Sequence, residues 1–328
     1  MRTLLSAALI AIILAMPARG DAFRLDLPVA CVPGFDCFVQ NYADVDPGPD
    51  ARDHACGNMT YDGHTGTDFR IRHARDFERG VAVLAAAAGR VLRVRDGVED
   101  NKDNNIDSVP ENRACGNGMV IDHGGGWTTQ YCHLRAGSVR VRPDQRVAAG
   151  AVLGEVGLSG LTVFPHLHFT LRKDGTVLDP FTRLTLEAGC GVDGVPIWND
   201  ATALSLGYRS AAILNAGFAA GRLTMEDIEA GRFDQFRLTR TSPAIVFFGR
   251  SIGLFAGDVE IIEIRGPDGR ILKSHMGTPL ERPRAQQFLF AGVPRPEAGW
   301  QPGRYVGLYR VLRSGEIISE TAMETRIE

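Results

Sequence analysis

The sequence predicts a mainly β protein, with an antiparallel β-domain followed by a small β-sandwich. Between residues 61 and 190, short β-branched runs alternate with glycine turns, as in "GVAVLAAAAGRVLRVR" and "HLHFTLRKDGTVLDP". This alternation is typical of antiparallel hairpins. The triplets "GGG" at 124–126 and "KDG" at 173–175 are the expected hairpin turns, and we expect no helix in this region.

A second set of strands follows residue 241. Apolar runs are separated by turn sequences such as "GPDG" and "RSG". Short strands at this spacing are typical of a small immunoglobulin-like β-sandwich. The predicted strands are 244–250, 259–265, 270–275, 286–291, 304–313 and 316–323.

The first 22 residues have the features of a signal peptide. Arg2 follows the initiator methionine, and the apolar run from Leu4 to Met16 is too short to cross a bilayer,. Cleavage after Gly20 and cleavage after Ala22 both fit the small-x-small pattern. We therefore expect an exported protein, periplasmic or secreted. Since no cysteine lies at either cleavage site, we expect no membrane anchor after cleavage.

The composition is that of a globular protein that does not bind nucleic acid. Of the 328 residues, 44% are hydrophobic and 23% are charged, and the net charge of −3 shows no basic excess,. The chain has 6 cysteines, an even number that favours disulfides in an exported protein,. We expect Cys31 to pair with Cys37 across "VPGFD". The other four cysteines allow three pairings, and their spacing does not choose between them.

Two short motifs contain residue types that bind zinc. "YDGHTGTDFRI" places His64 and Asp68 four residues apart, with Gly66 between them to let the backbone fold so that both side chains reach one point,. In "FPHLHFTLR", His166 and His168 project from one face of a predicted strand,. Imidazole and carboxylate are usual zinc ligands, and three of them with an open fourth position define a catalytic site. Spacing alone allows either member of the second pair to be the third ligand.

A further histidine, His133, lies in "TTQYCHL" on the second arm of a predicted hairpin. Strand alternation predicts that His133 shares a face with Tyr131, opposite to Cys132. His133 could then act as an acid or base beside the metal. The histidine His123, before the turn, is expected to be a turn or groove-edge residue. His54, His73 and His275 match no motif and are expected at the surface.

Taken in order, these motifs resemble a known family. The set "HTGTD", "GNGMVIDHGGGWTTQYCHL", "VGLSGLTVFPHLHF" and "DGTVLDP" is similar to the catalytic domain of the lysostaphin and LytM type of zinc endopeptidases, which cut peptide bridges of peptidoglycan. The resemblance implies one Zn²⁺ ion, with no other cofactor, bound by His64, Asp68 and His168. It also implies that His133 and His166 are catalytic. All five motif positions are intact.

The resemblance covers about residues 60 to 185 and leads to a division of the chain. The predicted parts are a signal peptide (1–22), a cystine-tied lead-in (23–60), the zinc metallopeptidase catalytic domain (61–190), a linker with short helices (191–240) and a β-sandwich accessory domain (241–328).

The expected activity is cleavage of peptide cross-links in peptidoglycan by a zinc-activated water. The substrate is then the peptide part of peptidoglycan, and any protein regulator is unknown. Two alternatives stay open from the sequence. One is a non-catalytic activator or scaffold for another cell-wall hydrolase, which the intact motifs disfavour. The other is a zinc peptidase that acts on proteins.

Overall fold

The structure is a computed structural model that describes residues 23–102, 106, 109–235 and 237–328. The predicted signal peptide lies outside these described residues. Within the described part of the chain, no helix combines the length and the apolar character that crossing a membrane requires. The fold is mainly β and antiparallel, as the sequence predicts.

A large antiparallel sheet forms the N-terminal part of the molecule. Its strands are β1 (Cys37–Asn41), β2 (Thr67–Ile71), β4 (Gly89–Arg95), β5 (Asn117–Gly124), β6 (Trp127–Leu134), β7 (Arg146–Val147), β9 (His166–Lys173) and β10 (Thr176–Leu178). Strands β3 (Ala82–Leu84) and β8 (Val152–Glu155) pair separately. The large sheet has the order β1-β2-β9-β6-β5-β4-β7, and β10 pairs with β9. The predicted cystine-tied lead-in thus contributes a strand, β1, to this sheet.

The two faces of this sheet differ. Along β9, Leu167 and Phe169 point into the hydrophobic core and are fully buried. His166 and His168 alternate with them and project from the opposite face,. The two predicted hairpin turns join β5 to β6 and β9 to β10. One face of the sheet is thus packed, while the other is available for polar chemistry. We call this second face the site face.

Helices are short and lie at the edges of the sheets. The helix α1 (Ala74–Arg79) was not expected from the sequence, since six residues are too few to show helical periodicity,. The other helical segments are α2 (Asp200–Ser205), α3 (Met225–Glu229) and 3₁₀ turns at Glu111–Arg113, Leu186–Ala188 and Arg232–Gln235. Helix α3 begins with a capping box between Thr224 and Asp227,.

Two further antiparallel sheets form the C-terminal part. Their strands are β11 (Ala212–Ala219), β12 (Ala244–Leu254), β13 (Val259–Arg265), β14 (Ile271–Met276), β15 (Arg284–Pro294), β16 (Gly303–Arg313) and β17 (Glu316–Ile327). One sheet has the order β11-β12-β15 and the other β14-β13-β16-β17. Side chains from both sheets, among them Phe247, Ile262 and Tyr309, share one core. The strands predicted after residue 241 are all present.

The segment 191–240 is more than the predicted linker with short helices. It contains α2 and α3, but it also contributes β11, which pairs with β12 as part of the sandwich. The sequence "AILNAGFA" of β11 is rich in small residues and has weak strand propensity,. Its strand conformation depends on pairing with β12, which local sequence does not show. The domain boundaries themselves stay a prediction.

The order of the strands departs from the constant-type immunoglobulin arrangement. In that arrangement the fourth strand joins the sheet of the first, second and fifth strands. Here the fourth strand, β14, pairs with the third, β13. The two-sheet packing is present, and its assignment to an immunoglobulin-like class stays a prediction.

Three disulfides link the described residues. The predicted Cys31–Cys37 bond is present. The remaining bonds are Cys56–Cys190, which spans 134 residues, and Cys115–Cys132. The long Cys56–Cys190 bridge ties the lead-in to the chain that follows the large sheet. The Cys115–Cys132 bridge joins the residues just before β5 to β6, the second strand of the same hairpin.

A polar cluster with two buried arginines joins the large sheet to the C-terminal sandwich. We call it the interdomain arginine cluster, and it comprises Arg70, Glu229, Arg250 and Gln286. Glu229 Oε1 lies 3.9 Å from Arg70 Nη2 and 3.6 Å from Arg250 Nη1, and it accepts a 2.8 Å hydrogen bond from Gln286 Nε2. Both guanidinium groups are almost completely buried. One carboxylate thus faces two buried cations between the two parts of the molecule.

Candidate metal and catalytic centre

Three of the predicted site residues bring one atom each to a common point. Asp68 Oδ1 lies 3.1 Å from His64 Nε2 and 2.9 Å from His168 Nδ1, and the two imidazole nitrogens are 3.1 Å apart. A metal ion could bind to these three atoms together. Asp68 and His64 are buried, whereas His168 is slightly exposed. The structure thus brings together the three side chains predicted as zinc ligands.

Strand pairing explains this convergence. Asp68 on β2 lies directly opposite His168 on β9, so the two side chains share the site face,. On the other side, Asn41 of β1 pairs with Asp68 and donates from Nδ2 to Asp68 Oδ2 at 2.8 Å. A side chain at Gly66 would come within 2.6 Å of the Phe169 carbonyl oxygen. Gly66 is therefore required because the loop before β2 passes close to β9.

Hydrogen bonds outside the cluster orient both imidazole rings. His64 Nδ1 lies 2.6 Å from the Tyr42 carbonyl oxygen, which only accepts, so Nδ1 donates there and Nε2 faces the cluster,. His168 Nε2 lies 3.0 Å from Thr170 Oγ1, which lets His168 donate there and present Nδ1 to the cluster. Burial would lower the pKa of His64, but Asp68 outweighs it and raises that pKa, so the point between these atoms attracts positive charge, either a proton or a metal ion,. This donor set fits zinc.

The two predicted catalytic histidines lie beside these ligands. His166 Nδ1 donates to the Phe164 carbonyl oxygen at 2.9 Å, and His166 Nε2 is 3.4 Å from Asp68 Oδ1. His133 Nδ1 donates to the Ser159 carbonyl oxygen at 2.8 Å. The two rings are 4.7 Å apart between centroids. In each ring the backbone bond occupies Nδ1, so Nε2 is the nitrogen that can exchange a proton with a substrate.

His133 reaches the site face by a route that strand alternation does not predict. Tyr131 pairs with Phe169, and both are fully buried in the hydrophobic core. Cys132 pairs with His168 on the site face. Regular alternation would therefore direct His133 into the core beside Tyr131, and the predicted sharing of one face by these two residues is wrong.

A bulge in β6 turns His133 back to the site. The pairing register between β5 and β6 shifts at this point, and His133 has a φ of 65°. This left-handed backbone conformation costs a non-glycine residue on the order of 1 kcal/mol. Hydrogen bonds of 2.8 Å, from the His133 backbone N–H to Cys115 O and from Nδ1 to Ser159 O, offset that cost. Bulges are often found next to active sites, where they re-aim a side chain.

The charges of the cluster shift the pKa values of its members. Burial would raise the pKa of Asp68, but His64 and His166 outweigh it and hold that pKa well below its ordinary value. Burial, with the nearby His166 and His168, holds the pKa of His133 well below its ordinary value. Burial also lowers the pKa of His168. The carboxylate is therefore ionised and His133 neutral near pH 7, as a ligand and a base require.

A cleft of about 160 Å³ opens beside Asp68, His133 and His166. Its walls include Tyr61 and Phe164, which the sequence analysis did not single out. The ring of Tyr61 lies 4.5 Å from that of His64, and the ring of Phe164 stacks on His166 at 4.5 Å. Their positions next to the two motifs are the only local signal that could have indicated them. Asn41 lacked any such signal, since its role depends on β1 pairing with β2.

The remaining histidines lie away from the cluster. His123 is held by the Ala88 carbonyl oxygen at 2.8 Å and by Thr129 Oγ1 at 2.7 Å. Thr129 Oγ1 donates in turn to the buried Tyr131 hydroxyl, so His123 belongs to the core side of the sheet. His54 and His73 are partly buried, contrary to the surface position expected for them. His275 is exposed, as expected.

A comparison of the sequence with models of known protein families agrees with the predicted motifs. Residues 62–180 match the model described as peptidase family M23. The chain contains an M23 peptidase domain. The match confirms the family predicted from the ordered motifs, and it includes every residue of the proposed centre. We refer to residues 62–180 as the M23 domain below.

Curated relatives resemble the M23 domain over part of their length. The cell division protein DipM of Caulobacter vibrioides is 31% identical over 113 residues, which are 34% of this chain and 17% of that protein. The DD-carboxypeptidase/endopeptidase Mpg of Neisseria meningitidis is 38% identical over 65 residues, which are 20% of this chain and 14% of that protein. The chain thus spans less than a fifth of the length of these relatives.

Solved structures also resemble part of the chain. The catalytic domain of lysostaphin from Staphylococcus simulans is 22% identical with a TM-score of 0.28, over 43% of this chain and 86% of that chain. A zinc-containing peptidase from Vibrio cholerae is 25% identical with a TM-score of 0.28, over 43% of this chain and 39% of that chain.

Proposed function

We propose that this protein is an exported zinc-dependent endopeptidase that cleaves peptide cross-links of bacterial peptidoglycan. The observation that carries the proposal is the convergence of His64, Asp68 and His168 beside the paired rings of His133 and His166. An activator or scaffold without catalysis would need neither the three inward-facing ligand atoms nor two oriented histidines next to them.

The residues of the centre divide into two groups by the chemistry available to them. Zinc bound by His64, Asp68 and His168 would supply a Lewis acid that activates water and polarises a peptide carbonyl. Asp68 stays ionised because its pKa is held low, and Asn41 keeps its second oxygen oriented. The outer hydrogen bonds of both ligand histidines hold their rings in place for binding,.

The other two histidines handle protons and developing charge. His133 is neutral near pH 7, so its Nε2 can accept a proton from the attacking water,. That proton must then reach the leaving amine, because an amine departs from the tetrahedral carbon only when protonated. The ring of His166, 4.7 Å from His133, lies where it can stabilise the oxyanion or share the proton,. The cleft beside both rings can receive the extended backbone of a peptide.

Export is part of the proposal. The predicted signal peptide at residues 1–22 supports it, together with the three disulfides of the described residues. Disulfides persist in the periplasm and outside the cell, whereas cytosolic thiols are kept reduced. Peptidoglycan lies in the same compartments, so enzyme and substrate would meet there.

The proposed substrate rests on the motifs and on the relatives. The ordered motifs resemble those of enzymes that cut peptidoglycan bridges, and the similar Neisseria protein is named an endopeptidase. A protein substrate is the main competitor, because the centre would hydrolyse any peptide bond that fits the cleft.

Purified sacculi and casein, incubated side by side with the protein, test the proposal. We expect soluble peptides from sacculi, detected by liquid chromatography and mass spectrometry, and little release from casein. Chelator should stop the release, and added zinc should restore it. Cleavage of casein alone would favour a protein-directed peptidase. No release from either substrate, at one zinc per chain, would favour the non-catalytic role.

A further inference from the structure

The site face continues beyond the metal ligands. Along β9, Thr170 and Arg172 follow His168 at every second position, so all three project from the same face,. The contact of 3.0 Å between His168 Nε2 and Thr170 Oγ1 shows that these neighbours touch. Thr170 is buried, whereas Arg172 is partly exposed. A peptide that lies over the metal centre along this direction would therefore pass over Thr170 and next meet Arg172.

The same surface extends across the sheet towards β4. Thr170 lies opposite Gln130 on β6, Gln130 opposite Val120 on β5, and Val120 opposite Arg93 on β4. Residues that pair directly share a face, so this row leads from the metal centre to Arg93. A cavity of about 310 Å³ lies over the far end of the row, with Arg93 and Gln130 in its lining.

Gln130, which lines this cavity, holds the side chain of Arg172 in position. Its Nη1 donates to Gln130 Oε1 at 2.8 Å. The amide nitrogen of Gln130 lies 3.2 Å from Cys132 Sγ and 3.5 Å from Cys115 Sγ. The Cys115–Cys132 disulfide thus anchors Gln130, and Gln130 anchors the guanidinium. Little side-chain entropy is left to lose when a ligand binds, which favours recognition.

The described side chains that line the cavity carry positive charge and no negative charge. Among the described residues that line the cavity there is no Asp or Glu. Within the described part of the chain, neither Arg93 nor Arg172 forms an ion pair. Burial, together with the positive charge of Arg93, lowers the pKa of Arg172. Arg95 differs from them, because it donates to the carbonyl oxygens of Gly116 at 2.6 Å and Asn112 at 3.0 Å and so shapes the cavity wall.

We propose that Arg93 and Arg172 form a subsite that binds a carboxylate of the substrate peptide. The proposal rests on the proposed peptidase function and specifies its substrate as acidic on one side of the scissile bond. A guanidinium group matches the two oxygens of a carboxylate, and an anion would relieve the repulsion between the two cations. Since alternate residues of a strand are about 6.7 Å apart, Arg172 lies roughly 13 Å from His168, the reach of about four extended residues.

Equilibrium binding of soluble peptidoglycan peptides tests the subsite. Cross-linked muropeptides are prepared in two forms, one with free carboxylates and one with every carboxylate converted to a carboxamide. Calorimetry is done on zinc-loaded protein that carries His133→Gln, which should consume the peptides about 10²–10⁴-fold more slowly than the wild type. The variants below carry the same change. We expect the free form to bind at least about ten-fold more tightly, as charge-assisted hydrogen bonds to a fixed guanidinium warrant.

Variants test whether Arg93 and Arg172 cause the preference for the free form. The double variant Arg93→Gln with Arg172→Gln should bind both forms alike, at the affinity of the amidated form. The single variant Arg93→Gln, at an exposed position, should reduce the preference for the free form several-fold. It keeps the test decisive if the double variant misfolds. The matched control is Arg90→Gln on the same strand, whose partner is Asp144 at 2.7 Å. It should keep the full preference for the free form.

The outcomes separate this inference from the proposed function. Equal binding of both forms by the protein that keeps both arginines, or a preference that persists in the double variant, overturns the subsite even when the wild type digests sacculi. A preference that the double variant loses, without any muropeptide release from sacculi, supports the subsite and contradicts the peptidase proposal. Peptides amidated only at the chain end, or only on side chains, show which carboxylate is bound.

Discussion

The proposed catalytic centre and the interdomain arginine cluster are both groups of charged side chains, and they differ in how they accommodate positive charge. In the centre, imidazoles can be neutral, so lone pairs converge beside the carboxylate of Asp68. In the interdomain cluster, guanidinium groups cannot give up their protons at physiological pH. Two positive charges there share the single carboxylate of Glu229. The first arrangement favours an added cation, whereas the second repels one.

The hydrogen bonds around each cluster differ in the same way. Both ligand histidines of the centre have an oxygen partner at the ring nitrogen that faces away from the metal point. In the interdomain cluster, Arg70 Nε and Arg250 Nη1 are buried without a hydrogen-bond acceptor among the described residues. Burial and the charge of Arg250 lower the pKa of Arg70 to about 9. Hydrogen bonds on the outer ring nitrogens therefore fix the geometry of the metal centre, whereas the interdomain arginine cluster, within the described chain, lacks such bonds at two of its nitrogens.

The two clusters meet at Arg70. This residue lies opposite His166 in the pairing of β2 with β9, and its guanidinium packs 4.6 Å from the centre of the Phe164 ring. Phe164 in turn stacks on His166. The C-terminal sandwich thus reaches, through Glu229 and Arg70, the side chains that support His166, a proposed catalytic histidine. The comparison can be tested by removing one group at a time from each cluster.

The largest effect is expected from His64→Ala. Two remaining ligands do not hold zinc, so we expect loss of the metal and a fall in peptide release of at least about 10³-fold. Metal content by mass spectrometry and muropeptide release measure both effects. The matched control is His275→Ala, at an exposed histidine outside the M23 domain, which should change neither. Full metal content in His64→Ala would show that His64 is not a ligand.

The next largest effect is expected from His133→Gln. This change removes a proton acceptor but no ligand, so zinc should stay bound while the rate of peptide release falls by about 10²–10⁴-fold. Zinc content and initial rates on sacculi are measured on the same preparation. Loss of zinc in this variant would place His133 among the ligands and contradict the division of roles.

A smaller effect is expected from Thr170→Val. It removes the oxygen that pairs with His168 Nε2, so the ring is held less well and zinc should bind about 10–100-fold more weakly,. Competition with a chelator of known affinity measures the change. Thr176→Val, an equivalent substitution at an exposed position of β10, is the control. An unchanged zinc affinity would mean that the outer hydrogen bonds do not orient the ligands.

The smallest effect is expected from Glu229→Gln, which takes the carboxylate from between the two buried arginines. Glu229 is part exposed and water screens its charge, so we expect the free energy of unfolding to fall by only about 1 kcal/mol,. Urea unfolding measures this free energy, and we expect the zinc affinity to stay unchanged. Glu226→Gln on the same helix is the control, since Glu226 pairs with Arg232 at the surface. A large loss of activity without loss of stability would show that the clusters are coupled.

Much of the fold was predictable because its signals are local. Apolar alternation and glycine turns identified the hairpins of the large sheet and the strands after residue 241. The same reasoning missed β11, whose small residues form a strand only through pairing with β12. It also missed α1, which is less than two turns long and has no periodic face to detect,.

The residues of the candidate site were predictable from the sequence to different extents. His64, Asp68 and the pair His166 and His168 stand in recognisable motifs with a spacing that zinc chemistry explains. His133 was predicted as a site residue, but its orientation depends on a bulge that only the register of β5 with β6 shows.

The sequence by itself determined which chemical groups are available and in which order they occur along the chain. Motif spacing, strand period and cysteine number are properties of neighbouring residues, so one sequence contains them. The tertiary structure decided which groups meet: Asp68 with His168, Arg93 with the row that ends at Thr170, and the C-terminal sandwich with Arg70. These contacts depend on strand register and on packing between residues distant in the chain, which local patterns do not encode.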